Sequence, residues 1–137
     1  MNLSRRTLLS MSVATLISGV ASQAFGQDHP RIGLIFVGAS WCPVCHVAAA
    51  VLAPAAERSA MDILVASQDG KAIKPWVDFV DARGNPLTQS IKAIPTLLFV
   101  DLAQGRVIGK LEGFRSAGQY LGSIRSTLIA AGNAGRG

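Results

Sequence analysis

The sequence predicts a small α/β sandwich, and three observations carry that prediction. An apolar run, IGLIFV at residues 32–37, is followed by an Ala- and Leu-rich stretch. A second run, TLLFVD at 96–101, leads through Gln104-Gly105 into a third at 106–111. The last stretch, Ala117 to Ala131, repeats its apolar residues at helical spacing. The order is β-α-β, a variable stretch, then β-β-α.

IGLIFV suits a strand buried on both faces. Gly38-Ala39-Ser40 is a small-residue turn. A helix is expected from Pro43, whose missing N–H costs nothing in a first turn. Its continuation, VCHVAAAVLAPAAERSA, is rich in good helix formers. Pro54 lies inside it and predicts a kink or break. Ile63 to Ala66 reads as a second strand, and the β-α-β order argues for a right-handed crossover.

Gln68 to Asn85 admits two readings: a strand ending in a turn at Arg83-Gly84-Asn85, or a loop wrapped over the core. Leu87 to Lys92 admits a short helix. Arg106 to Leu111 lies at hairpin distance from TLLFVD. Tyr120, Leu121, Ile124, Leu128 and Ile129 define the final helix. The tail, residues 132–137, is expected to fray. There are no internal repeats.

The first 26 residues read as an export signal rather than as part of the fold. A short positive region (Asn2 to Arg6) precedes an apolar run (Thr7 to Val20) and small residues in VASQAFG. Cleavage is expected after Ala24 or after Gly26. The apolar run is shorter than the ~20 residues of a spanning helix, so membrane contact is expected only if this segment is uncleaved. Ser4-Arg5-Arg6-Thr7-Leu8-Leu9 resembles a twin-arginine signal; an ordinary secretory signal with two arginines is the alternative. Both routes lead to an oxidising compartment, here read as the periplasm.

Removing 26 of 137 residues leaves 111, one domain over 27–131 with its tail. Arg5 and Arg6 go with the signal, so 11 basic residues face 8 acidic ones, a net charge of +3. These charges are scattered, with no basic block, which argues against a nucleic-acid partner. The chain has only two cysteines, Cys42 and Cys45. A bridge across so short a loop removes little unfolded-chain entropy. The pair is therefore read as chemical rather than structural.

The cysteines lie in WCPVCH, residues 41–46, which has two incompatible readings. CPVC is the spacing of a redox dithiol; CxxCH is the spacing that attaches a c-type haem. A haem would need His46 as axial ligand and often a second ligand. The mature chain offers Met61 and His29, neither in a recognisable haem-ligand context. A metal is also disfavoured, because two Cys and an adjacent His on one helix cannot converge on one ion. No cofactor and no metal are expected.

Three features together resemble the thioredoxin superfamily. Ala39-Ser40-Trp41-Cys42-Pro43-Val44-Cys45 resembles its active-site motif at a strand-to-helix junction. Ile94-Pro95-Thr96 resembles its cis-proline loop, directly before a strand. The terminal ββα unit, with Glu112-Gly113-Phe114, completes a likeness over roughly residues 31–131. It implies a minimal thioredoxin-like fold: βαβ and ββα around a mixed sheet, with helices on both faces. The chain departs from thioredoxin in lacking its opening strand and helix. It also has an insertion around 67–86, Phe36 where the family has a buried acid, and Pro-Val between the cysteines.

The resemblance implies an exported thiol–disulfide oxidoreductase. Cys42, at a helix N-terminus, would be the nucleophile, its thiolate favoured by the dipole and free N–H groups. Cys45 would resolve the mixed disulfide. Trp41, Pro43, Ile94, Pro95 and Thr96 would meet the substrate, with Trp41 as lid and the backbone at Ile94 pairing with it. A core aromatic is the alternative for Trp41, and a trans-proline opening an edge strand is the alternative for Pro95. His46 is read as a plain surface residue of the helix. The expected partners are exported client proteins with disulfides and a membrane thiol electron donor, and the protein is expected to be a monomer. The reducing direction is favoured. A disulfide-donating oxidant and a non-catalytic docking module are the rivals, the second kept open by Phe36.

Overall fold

The computed structural model describes residues 31–134. The export-signal reading and both cleavage sites fall outside this range, as does His29. Five strands form one mixed sheet in the order β3-β2-β1-β4-β5. They are β1 (Ile32–Gly38), β2 (Ile63–Ser67), β3 (Val80–Asp81), β4 (Thr96–Asp101) and β5 (Arg106–Glu112). Two α-helices, α1 (Pro43–Arg58) and α2 (Ala117–Ala134), and a 3-10 helix (Ala82–Gly84) complete it. This is the expected α/β class. No helix among the described residues is long and apolar enough to cross a membrane.

β1 lies in the middle, parallel to β2 and antiparallel to β4. With neighbours on both edges and cover on both faces, all its residues after Ile32 are buried. Strand alternation sorts its side chains between two cores. Leu34 and Phe36 face one side with Val65, Leu97 and Phe99. Ile35 and Val37 face the other with Ala66, Leu98 and Val100.

Both α-helices cover the first face. Cys45, Ala48, Ala49, Leu52 and Ala56 of α1 meet it, with Tyr120 and Ile124 of α2. The three alanines are small, so α1 lies close against the strands. Among the described residues, the second face is covered only by the 3-10 helix through Ala82, with Val80, Leu87, Ile91 and Ile94 beside it, so the expectation of helices on both faces is corrected: both α-helices lie on one.

Three local expectations are corrected, and the stretch left open between strand and loop proves to hold both. α1 runs unbroken through Pro54. Pro54 and Ala50, the residue whose carbonyl loses its donor, are both exposed. Of the variable stretch, Val80–Asp81 pairs as a strand, parallel to β2, Ala82–Gly84 forms the 3-10 helix, and the rest is loop. The short helix at Leu87–Lys92 does not form. There the Asn85 side chain takes the Leu87 N–H (2.9 Å), and the Thr88 hydroxyl donates to the Ala82 carbonyl (2.8 Å). Such side-chain bonds compete with helix in a run too short to nucleate one. Finally, α2 continues past Ala131 to Ala134.

The β4–β5 hairpin turns at residues 102–105. Asp101 accepts the N–H groups of Ala103 (2.9 Å) and Gln104 (3.2 Å) on its side chain, and Gly105 takes the left-handed conformation, φ 64°.

Candidate active site

The chain leaves β1 at Gly38, turns through Ala39 to Trp41, and enters α1 with Cys42 as its N-cap. Cys45 lies one turn further on, with 5.2 Å between the two Cα atoms, and the pair is disulfide-bonded. The Cys45 N–H donates to Cys42 Sγ at 3.1 Å, the bond a capping side chain makes. Pro43 takes the first helical position, as expected. The two sulfur residues are not equivalent. Cys42 keeps 6% of its surface exposed, whereas Cys45 keeps none. A partner disulfide can therefore reach only Cys42. Trp41 is 68% exposed, which rules out its core reading.

Behind Cys45 the wall is apolar. A Cβ added at Gly38 would stand 3.2 Å from Cys45 Sγ, 3.0 Å from the Phe36 ring and 3.2 Å from Ile73. Phe36 is fully buried and tilts against Trp76, with ring centroids 5.1 Å apart. Ile73 and Trp76 both come from the insertion. It thus supplies part of the apolar backing around Phe36, at the position of the family's acid. Gly38 is required by this close approach. Gly38→Ala is expected to destabilise the fold by about 1–3 kcal/mol through overpacking, read as a lower urea midpoint at unchanged slope.

Ile94, Pro95 and Thr96 stand at the same end of the sheet. Val37 pairs with Thr96, which puts Pro95 beside the end of β1 from which the cysteine turn departs. The Ile94–Pro95 peptide bond is cis, and so is Lys74–Pro75, which no sequence pattern led us to expect. Pro95 is buried and its carbonyl accepts the Gly113 N–H at 2.8 Å. Thr96, also buried, donates its hydroxyl to the Ala93 carbonyl at 2.7 Å. Ile94 is half-buried.

A polar clamp around Ser40 is visible only in the folded chain. The Ser40 N–H donates to Asp69 Oδ1 at 3.2 Å, and its hydroxyl donates to Asp69 Oδ2. The Ser67 hydroxyl donates to the same carboxylate at 2.8 Å and accepts the Lys71 N–H at 3.1 Å. On its other side, the Ser40 carbonyl accepts from His46 Nε2 at 2.6 Å. His46 is therefore no plain surface residue: its ring folds back onto the turn. No sequence signal announces these pairings, because Ser40 and Asp69 are 29 positions apart.

The Ser40 hydroxyl above all holds the Asp69 carboxyl well below the usual carboxylate range; burial, the next largest effect, opposes it, and the Ser67 hydroxyl and the Ser40 N–H add to the lowering. A depressed folded-state pKa means that the unfolded chain binds the proton more readily. The stability Asp69 contributes is therefore present above the ordinary Asp value, ~3.9, and is lost as pH falls below it. The urea midpoint should drop between about pH 5 and about pH 2, and Asp69→Asn should drop less over the same range.

The haem alternative does not fit this geometry. Cys45 Sγ is packed against Gly38 and fully buried, with no face for a thioether bond, and His46 Nε2 is engaged by Ser40. Among the described residues, no three His, Cys, Asp or Glu side chains converge as a metal site.

The family model described as TraF, F plasmid transfer operon protein, matches residues 20–124. The chain belongs to the TraF family. No curated protein matches it. Among solved structures, this TraF-family chain is similar to the pneumococcal exposed lipoprotein thioredoxin of Streptococcus pneumoniae. That match has 18% identity and a TM-score of 0.53, and covers 74% of this chain and 88% of the other. It is also similar to reduced Schistosoma mansoni thioredoxin pre-protein, with 16% identity, a TM-score of 0.52, and coverage of 80% and 90%. The reduced N-terminal domain of PilB from N. meningitidis matches at 22% identity and a TM-score of 0.50, covering 72% and 81%. These likenesses establish the thioredoxin-like fold. That fold, with a close Cys42–Cys45 pair at a strand-to-helix junction, supports thiol–disulfide oxidoreductase chemistry.

Proposed function

We propose that this protein is a periplasmic thiol–disulfide oxidoreductase that reduces disulfides of exported client proteins. The observation that carries the reading is the asymmetry of the pair: Cys42 caps α1 and keeps a small accessible surface, while Cys45 keeps none. In the reduced protein the Cys42 thiolate attacks one client sulfur. The mixed disulfide forms, and the client's other sulfur leaves as a thiolate. Cys45 then loses its proton and attacks Cys42 Sγ. The client's second sulfur is released, the Cys42–Cys45 disulfide closes, and two electrons have passed to the client. Phe36 cannot take the Cys45 proton, so the client's first leaving thiolate or solvent at the turn receives it. A membrane thiol donor restores the dithiol.

Trp41, Val44 and Val47 form an exposed apolar strip beside Cys42, which suits contact with a polypeptide client. Pro43 and the half-buried Ile94 would complete that contact, with the buried Pro95 and Thr96 holding the turn behind it. The exposed-lipoprotein description of the pneumococcal thioredoxin supports a place outside the cytoplasm. The protein is taken to act as a monomer.

The test is catalysed reduction of a disulfide-bonded test protein by dithiothreitol. The mature wild type should accelerate it and Cys42→Ser should not. A wild type no faster than Cys42→Ser would leave a docking module as the reading.

A further inference from the structure

We infer that Asp69 is a positioning residue that acts through its charge. Fixed against the turn that carries Cys42, this negative charge disfavours the Cys42 thiolate and keeps the pair reducing. The inference rests on the reading of Cys42 as the exchange nucleophile.

Three hydrogen bonds fasten the carboxylate at one place, two from Ser40 and one from Ser67. Ser40 lies two residues before Cys42, so their Cα atoms are at most ~7 Å apart. The carboxylate is bonded to the turn that leads into Cys42, so its charge stands within about two screening lengths of the Cys42 sulfur at physiological salt. Its own bonds keep it ionised at neutral pH. The other charged groups around it do not cancel it. Arg83 lies against Gly70 and its charge also feels Asp69, but its hydrogen bonds go to Asp81, at 2.9 Å and 2.6 Å. These three groups together leave one net negative charge. His46 meets the opposite side of Ser40 through the carbonyl. Lys71 contributes its backbone N–H to Ser67, and its side chain is exposed.

The sign follows from the exchange reaction. The Cys42–Cys45 disulfide plus two glutathione thiols gives the dithiol plus glutathione disulfide. Whatever stabilises the Cys42 thiolate stabilises the reduced side and makes the pair more oxidising. Asp69 does the opposite. It stands on the insertion, apart from the buried position that Phe36 occupies, and is bonded to the turn before Cys42.

The experiment is titration of the mature wild type, Asp69→Asn, Asp69→Glu and Ser40→Ala in glutathione buffers, with thiol state read by alkylation and mass. Thiolate absorbance of the reduced proteins gives the Cys42 pKa. Asp69→Asn keeps the side-chain shape and removes the charge. It should lower that pKa and shift the exchange constant about three- to tenfold toward the dithiol, up to ~30 mV for a two-electron couple. Asp69→Glu, which restores the charge, should stay near wild type. Ser40→Ala removes one of the three bonds but leaves the charge, and should move less than Asp69→Asn. An Asp69→Asn constant within twofold of wild type, a shift the other way, or an equal shift in Asp69→Glu would overturn the inference while leaving the proposed function standing. A wild-type pair that does not exchange with glutathione at all would sink both.

Discussion

Cys45→Ala should convert the protein from a catalyst into a trap. With its resolving sulfur gone, Cys42 still attacks a client disulfide, but the mixed disulfide has no internal route to collapse. Turnover should fall to the uncatalysed background. A covalent adduct should accumulate that is visible on non-reducing gels and lost on adding dithiothreitol. The effect should be one-sided. Cys42→Ala should form no adduct, because Cys45 has no exposed surface from which to attack. Equal trapping by the two variants would show that the burial asymmetry does not set the order of attack. An absence of adduct in both would favour a domain that docks a partner without exchanging with it.

The largest stability effect should come from Phe36→Ala. Phe36 is fully buried on the central strand, with Trp76 on one side and the Gly38–Cys45 contact beside it. Truncating a buried Phe typically costs about 3–5 kcal/mol, transfer and cavity together. That is a large share of the ~5–15 kcal/mol by which a domain of this size is usually stable. Urea unfolding followed by tryptophan fluorescence would read it, since Trp76 reports on this contact. A loss below about 1 kcal/mol would mean that the insertion collapses into the vacated space, and that Ile73 and Trp76 back the site only loosely.

Much of this architecture is legible in the sequence because it is local. IGLIFV and TLLFVD are short unbroken apolar runs, the Tyr120–Ile129 spacing carries a helical period, and WCPVC announces a strand-to-helix junction within seven residues. Pro54 misleads because a proline's cost depends on its surroundings, and here it and Ala50 lie on the exposed side of the helix. The stretch from 68 to 94 is illegible for the opposite reason. Its conformation is set by distant partners: Ile73 and Trp76 by the core around Phe36, Gln68 by the Ile91 carbonyl at 2.8 Å, and Asp69 by Ser40. No period within the segment encodes those partners. The same limit hides the Ser40 clamp. The reacting sulfurs can be read from spacing, but the groups that fix the turn before them come together only in the folded chain.

The central claim is that Cys42–Cys45 is a reducing pair. Its reduction potential tests that most directly, measured on the mature protein by equilibration in glutathione or dithiothreitol buffers. A value near thioredoxin's, about −270 mV, is predicted, and it would require a dedicated electron donor in an oxidising compartment. A value near that of the strong disulfide donors, about −120 mV, would contradict the account and make the protein a source of disulfides instead.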